Sequence, residues 1–158
     1  MVMLSMACLL VVRLRGTVNV PHWAETTLRL LNLHKRFSAT LVADTPSIKG
    51  MLKEVQHYVA WSPVDAELIK ELLEKRGKVS RRKRLTLEDV KKLGFEDFAS
   101  LAASLAEGKV SLNRLKMIKP FFALHPPRGG FPASSRRLYK DGLLGENPEL
   151  PKLVLKML

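Results

Sequence analysis

The first sixty residues alternate between short runs of strand type and segments of helical type, and this alternation restricts the fold more than any other feature of the chain. Apolar and β-branched residues predict a strand at about 8–14, period-two alternation predicts a second at 37–43, and a third is predicted at 57–61. Helical patterns fill the two intervals between them. The predicted order is therefore β-α-β-α-β, with two helices on one face of a small sheet and the other face free for a partner.

Local signals place both of these helices. The first is expected to begin at Pro21, because a first helical turn accepts proline. The second is expected to begin after Thr45, a good N-cap residue, with Pro46 at its first position. The mostly apolar face predicted for the first helix consists of Trp23, Thr27, Leu28, Leu30 and Leu31. The two tryptophans of the chain, Trp23 and Trp61, are expected in the core or at its edge.

The second half of the chain is predicted to be helical. Apolar residues recur at helical spacing over 66–75, 86–93 and 95–107, and again near the C-terminal end of the sequence. Thr86 and Asp89 resemble a capping box, with aspartate in place of the usual Glu or Gln.

Positive charge is concentrated in two blocks. The chain has 27 lysines and arginines against 15 aspartates and glutamates, a formal net charge of +12 over 158 residues. Residues 77–84 hold five basic side chains and no acidic one, and residues 109–140 hold eight and none. Within the second block, glycine and proline exclude a helix between Phe121 and Phe131. A polyanion is therefore the first hypothesis for the partner, and its binding should weaken steeply as salt rises.

Composition argues against several other classes of protein. With 46% apolar residues the chain must form a core. A single cysteine, Cys8, and four scattered histidines exclude an internal disulfide and a Cys-rich zinc site, so no metal and no cofactor are expected. The apolar residues 1–12 are too short to span a membrane and lack the basic start of a signal peptide, which favours a buried strand. The sequence holds neither a Walker-type loop nor a base beside Cys8, which argues against an enzyme.

Four motifs, in a specific order, resemble those of a known family. They are Val11-Val-Arg-Leu-Arg-Gly-Thr-Val-Asn-Val20, Thr27-Leu-Arg-Leu-Leu-Asn-Leu-His34, Asp44-Thr-Pro-Ser-Ile-Lys-Gly-Met51 and Phe121-Phe-Ala-Leu-His-Pro-Pro-Arg-Gly-Gly-Phe131. Together they resemble the large-subunit ribosomal protein thirty family in its long archaeal form, which is related to eukaryotic large-subunit ribosomal protein seven. The first sixty residues are similar to the whole of the short bacterial version, and the later residues are similar to the archaeal extension.

The resemblance implies both a fold and a function. The implied fold is α+β, with a ferredoxin-like β-α-β-α-β core domain at 1–62 that has an antiparallel three-stranded sheet. A helical extension at 63–158 would carry a basic, irregular RNA-binding arm at 109–147. The implied function is that of a structural constituent of the large ribosomal subunit in the cytoplasm, which binds and stabilises folded ribosomal RNA beside neighbouring ribosomal proteins. No catalysis, no membrane and no small-molecule substrate are expected.

The predicted RNA contacts are mainly of three kinds: side chains with positive charge, residues with an exposed backbone, and aromatic rings that can stack on an unpaired base. They are Arg13, Arg15, Asn19, His22, Lys78, Arg81, Arg82, Lys83, Arg84, Arg114, Lys116, Lys119, His125, Arg128, Gly129, Gly130, Phe131, Arg136, Arg137, Tyr139 and Lys140. The alternative for the block from Lys78 to Arg84 is a solvated linker. Phe121 and Phe122 are predicted to be core anchors rather than stacking platforms.

A second function stays open, that of a basic DNA-binding or chromatin-like architectural protein. Short helices at 86–93 and 95–105, separated by Gly94, suggest a helix-turn-helix. The second of these segments carries acidic residues and no lysine or arginine, which disfavours insertion into a major groove.

Overall fold

A computed structural model of the chain describes residues 8–107, 112, 115 and 118–158. The strands are β1 (Cys8–Arg13), β2 (Ser38–Ala43), β3 (Val59–Pro63), β4 (Phe122–Ala123), β5 (Ser134–Leu138) and β6 (Gly142–Glu146). The helices are α1 (His22–Leu30), α2 (Pro46–Glu54), α3 (Ala66–Arg76), α4 (Leu87–Lys92), α5 (Phe98–Ala106) and α6 (Leu150–Met157). In this part of the chain no helix is long and apolar enough to cross a membrane.

The strands form one mixed sheet in the order β4-β2-β1-β3-β6-β5. β1 lies between β2 and β3 and is antiparallel to both, with Val11 opposite Thr40 on one side and opposite Trp61 on the other. β4 pairs antiparallel with β2, while β6 pairs parallel with β3 and with β5. The first 63 residues form the three-stranded sheet β2-β1-β3, and strands from the C-terminal half of the chain pair with both of its edges. The backbone N–H and C=O groups at those edges therefore have hydrogen-bond partners.

β1 is buried on both faces of this sheet. Leu10 and Val12 lie in a core with residues of α3, α4, α5 and α6, whereas Leu9 and Val11 lie in a second core with residues of α1 and α2. The two sets alternate because successive side chains of a strand point to opposite faces. The molecule thus has three layers, with the sheet between two sets of helices.

The α+β class is confirmed, but three details of the predicted architecture are wrong. The sheet has six strands rather than three, because the extension adds strands to both edges. Helices cover both faces rather than one, so the face that was expected to be free for a partner is occupied by the extension. The arm at 109–147 is not wholly irregular, since it supplies β4, β5 and β6.

The predicted helix starts at Thr45 and Thr86 are confirmed. The Thr45 side chain accepts a hydrogen bond from the Ile48 amide, and Pro46 is the first residue of α2. Thr86 and Asp89 form a complete capping box at the start of α4. Each cap satisfies an amide that a helix start leaves unpaired, a contribution of about 1 kcal/mol.

The predicted apolar face of α1 is only partly correct. Thr27 and Leu28 are buried against the sheet, but Trp23 is 52% exposed and Leu30 is 67% exposed. Only the side of α1 that faces the sheet is covered, and these two residues lie outside it. Trp23 is therefore not a core residue, whereas Trp61, in β3, is buried as predicted.

The two neighbouring phenylalanines at the start of the arm have different environments. Phe122 is fully buried in β4, which confirms it as a core anchor. Phe121 is half-buried, and the Lys119 ammonium lies over its ring at 5.8 Å from the centroid. Only one of the pair therefore fixes the arm to the core.

Replacing Phe122 with alanine should lower the free energy of unfolding by about 3–5 kcal/mol, because the change removes a buried ring and leaves a cavity. Phe121→Ala is the matched control and should cost about 1 kcal/mol. Urea unfolding followed by tryptophan fluorescence measures both, with Phe122→Leu as a milder variant should the alanine variant not fold. Equal losses for the two alanine variants would show that Phe122 does not anchor β4.

Candidate nucleic-acid interface

Arg13 is the predicted RNA contact that the structure corrects most clearly. Its side chain is 2% exposed. Nη1 donates to the Leu33 carbonyl at 2.8 Å, Nε to the Arg15 carbonyl at 3.0 Å and Nη2 to the Gly16 carbonyl at 3.1 Å. Burial lowers the pKa of the guanidinium, and the negative charge of Glu25 opposes this effect. The Arg13 side chain therefore links backbone carbonyls inside the protein, and it is not accessible to a phosphate.

A cavity of about 200 Å³ lies near the end of β1, and we call it the small basic cavity. Its polar lining comes from Arg15, Arg36, Tyr58 and Arg136, and no carboxylate lines it. The Arg15 guanidinium lies over the Tyr58 ring at 5.6 Å from its centroid. The structure thus brings together Arg15 and Arg136, two predicted contacts that are far apart in the sequence.

A second cavity of about 430 Å³ lies beside β4, and we call it the large basic cavity. The predicted contacts Lys78, Arg81 and Lys119 line it, so the two basic blocks of the sequence meet at one place. Its lining also contains no carboxylate. The described residues that line it are His34, Lys35, Arg36, Ser38, Lys78, Arg81, Lys119, Phe121, Ala123 and Leu124.

Sequence reasoning missed two cations of these cavities, Lys35 and Arg36. Lys35 and Arg36 line the large basic cavity, and Arg36 lines the small one as well. Arg36 is held in place, because its Nε donates to the Leu14 carbonyl at 2.9 Å and its guanidinium lies over the Phe37 ring at 4.7 Å. The only available signal was the run His34-Lys35-Arg36, which is shorter than either basic block.

The basic block 77–84 forms a turn closed by a bridge between Lys78 and Arg84, rather than a linker without structure. Arg84 Nη2 donates to the Lys75 carbonyl at 2.7 Å, and Lys83 Nζ lies 3.9 Å from Asp89 Oδ1. Two of the five cations in this block, Lys83 and Arg84, therefore already contact an acceptor of the protein itself. All four side chains from Arg81 to Arg84 are exposed.

The loop that contains His125, Arg128, Gly129 and Gly130 is attached to the end of α6. The amides of His125 and Arg128 donate to the carbonyls of Met157 and Lys156 at 3.0 and 3.2 Å. Gly129 and Gly130 both have φ near +80°, a conformation that favours glycine. These four predicted contacts are exposed and line neither basic cavity.

The remaining predicted contacts are spread over the surface. Phe131 stacks on Phe37 with ring centroids 6.0 Å apart, so part of the ring that was expected to meet a base packs against the protein. Tyr139 is half-buried. Arg114 and Lys116 lie outside the described residues. The exposed members that line neither cavity are Asn19, His22, Arg82, Lys83, Arg84, Arg137 and Lys140.

The described residues offer no catalytic or metal centre. They contain no group of three or more His, Cys, Asp or Glu side chains that could hold a metal ion. Burial raises the pKa of the Cys8 thiol to about 12, so the thiol is protonated and a poor nucleophile at neutral pH.

These features define a basic α+β protein with cation-lined surface cavities that suit a polyanion. The chain belongs to the ribosomal protein L30p/L7e family, whose family model matches residues 9–59. It is 48% identical to large ribosomal subunit protein uL30 of Nitrosopumilus maritimus over 150 residues, which are 94% of this chain and 97% of that relative. The uL30 protein of Thermofilum pendens is 46% identical over 97% of this chain and 100% of its own length. That of Archaeoglobus fulgidus is 43% identical over 93% and 97%.

Arg13→Lys should lower the free energy of unfolding by about 1–3 kcal/mol, because an ammonium cannot reach three separate carbonyls as the guanidinium does. The exposed neighbour provides the control, since Arg15→Lys should change stability by less than about 0.5 kcal/mol. Urea unfolding at neutral pH measures both. If the two variants lose the same stability, the buried guanidinium does not have the structural role assigned to it.

The Asp89 cap should make stability depend on acid pH. Hydrogen bonds from the Thr86 hydroxyl and amide hold the pKa of Asp89 below its ordinary value, so the ionised cap stabilises the folded state above that value. This contribution should be lost as the pH falls through the folded-state pKa, at more acid values than 3.8. The difference in stability between the protein and Asp89→Asn should therefore be constant near pH 7 and shrink in strong acid. A difference that stays constant into strong acid would contradict this role of the Asp89 cap.

Proposed function

We propose that this chain is a structural constituent of the large ribosomal subunit and that it binds and stabilises folded ribosomal RNA. As a member of a ribosomal protein family it is a structural component and not an enzyme. Its partners would be large-subunit ribosomal RNA and neighbouring ribosomal proteins, in the cytoplasm. The observation that carries the proposal is the meeting of cations from five separate segments around two cavities without a lining carboxylate.

Electrostatics supports an RNA partner for these surfaces. Like charges repel when they are held together, so a cationic cluster without counter-charges favours an anionic ligand. Arginine can hold a phosphate with two parallel hydrogen bonds, and lysine supplies a point charge. The phosphate contacts that we propose are those of the cations that line the cavities: Arg15, Lys35, Arg36, Lys78, Arg81, Lys119 and Arg136.

We also propose that the chain consists of a core unit at 1–62 and an extension at 63–158. Residues 1–62 would form a ferredoxin-like unit, which is supported by the antiparallel pairing of β1 with β2 and β3 and by the packing of α1 and α2 on one face. Residues 63–158 would form the extension, with the RNA-binding arm at 109–147. The exposed loop at Arg128, Gly129 and Gly130 would contribute further contacts, because glycine lets a backbone approach RNA closely.

The DNA-binding alternative is not favoured. α4 and α5 are both present, but Leu101, Ala102 and Leu105 of α5 are buried in the core. The segment around α5 also lacks the cations that a helix in a major groove needs. Membership of a ribosomal protein family also favours ribosomal RNA over DNA as the partner.

The double variant Arg81→Ala/Lys119→Ala should weaken binding to large-subunit ribosomal RNA and make the salt dependence shallower by about one to two units of slope, because two phosphate contacts are lost. The matched control is Lys49→Ala/Lys70→Ala, which removes the same charge from lysines that lie 3.3 Å from Asp44 and 4.0 Å from Glu74. Filter binding across a salt series measures both. Equal effects of the two double variants would show that only net charge matters.

Association with the ribosome is tested separately. The tagged full chain should sediment with large subunits through a high-salt wash in a sucrose gradient. Migration at the top of the gradient would contradict the proposed function.

A further inference from the structure

The two basic cavities share one residue. Arg36 lines the small basic cavity on one side and the large basic cavity on the other. Beyond Arg36, the small cavity presents Arg15 and Arg136, and the large cavity presents Lys78 and Lys119. The cations of the two cavities therefore adjoin at Arg36, and we call them the track. Its members come from β5, from the end of β1, from the residues before β2 and β4, and from the block 77–84.

Several members of this track are held in position before any ligand arrives. Arg36 is fixed by the Leu14 carbonyl and by the Phe37 ring, and Arg15 lies over the ring of Tyr58. A side chain that is already ordered loses less conformational entropy when it binds. The track is thus suited to one defined path of phosphates rather than to diffuse attraction.

The two cavities differ in what they can accept. The small cavity, at about 200 Å³, is lined chiefly by cations and Tyr58, which suits a phosphate group. The large cavity, at about 430 Å³, lies within the range of small-ligand sites and also contains the half-buried ring of Phe121. An aromatic ring beside cations is the combination that binds unpaired nucleotides, because the base stacks and the phosphate is neutralised.

A regular RNA helix does not fit this arrangement. In an A-form duplex the bases are stacked on one another and paired, so their faces are not available to a side chain. A helix is also too broad to enter cavities of about 200 and 430 Å³. The occupant that satisfies the cations and the ring together is a strand with an unpaired base.

We propose that one unpaired RNA strand crosses the protein at Arg36, with a phosphate in the small basic cavity and an unpaired nucleotide in the large one, where its base stacks on Phe121. This inference rests on the proposed function and adds the class of RNA that the site takes. It also gives Phe121 a role that differs from that of its buried neighbour Phe122.

The test compares two fluorescently labelled probes at the same salt concentration, a single-stranded RNA of about 12 nucleotides and the fully paired duplex of the same strand. Arg36→Ala and Phe121→Leu should each weaken binding of the full chain to the single strand by about tenfold. Phe121→Leu should leave duplex binding nearly unchanged, and Arg36→Ala, which removes a cation, should weaken duplex binding much less than single-strand binding. Arg36 also donates to the Leu14 carbonyl. Lys35→Ala is therefore a second variant, whose side chain has no such bond, and it should weaken single-strand binding in the same selective way.

Arg128→Ala is the matched control, because Arg128 is exposed on the glycine loop and lines neither basic cavity. It should weaken both probes to the same extent. The inference is overturned if Arg36→Ala and Phe121→Leu also weaken both probes equally, or if polyglutamate displaces the single strand as well as unlabelled RNA does. Wild-type protein that binds neither probe but still binds large-subunit ribosomal RNA would overturn this inference alone, whereas failure to bind that RNA as well would overturn the proposed function. Thermal unfolding of every variant shows whether the fold is retained.

Discussion

The burial of β1 on both faces is the constraint on which the rest of the structure depends. Leu9 and Val11 need the cover of α1 and α2, and Leu10 and Val12 need the cover of the extension helices. A three-stranded unit with helices on one side would leave the second apolar face in water, at a cost of about 25 cal/mol for each Å² of exposed apolar surface. The extension is therefore part of the core of the molecule.

The end of β1 links this core to the surface. The buried Arg13 guanidinium donates to the carbonyls of Leu33, Arg15 and Gly16. It thereby fixes the backbone at Arg15 and Gly16, which line the small basic cavity. Arg36 in turn donates to the carbonyl of Leu14. Arg13 thus stabilises the interior, whereas Arg36 remains at the surface. The difference arises because Arg13 is the last residue of the buried strand β1 and Arg36 lies in an exposed turn before β2.

The proposed RNA interface depends on chain topology as much as on charge. Arg15, Arg36, Lys78, Lys119 and Arg136 come from segments that are distant in the sequence, and the sheet order places them around two adjacent cavities. Other cations of the basic blocks are used internally, since Arg84 binds a carbonyl and Lys83 lies beside a carboxylate. Net charge therefore identifies the kind of partner, while the fold selects the cations that can meet it.

The amino-acid sequence by itself determined the β-α-β-α-β order of the first 63 residues, the caps at Thr45 and Thr86 and the excess of positive charge. The element order and the caps depend on residues a few positions apart, and the charge depends on composition alone. The resemblance in four motifs also identified the family. Only the tertiary structure decided that strands join both sheet edges, that Trp23 is exposed, that Arg13 is buried and that Arg36 lines both cavities. These features depend on contacts between distant segments, and local periodicity carries no information about which segments become neighbours.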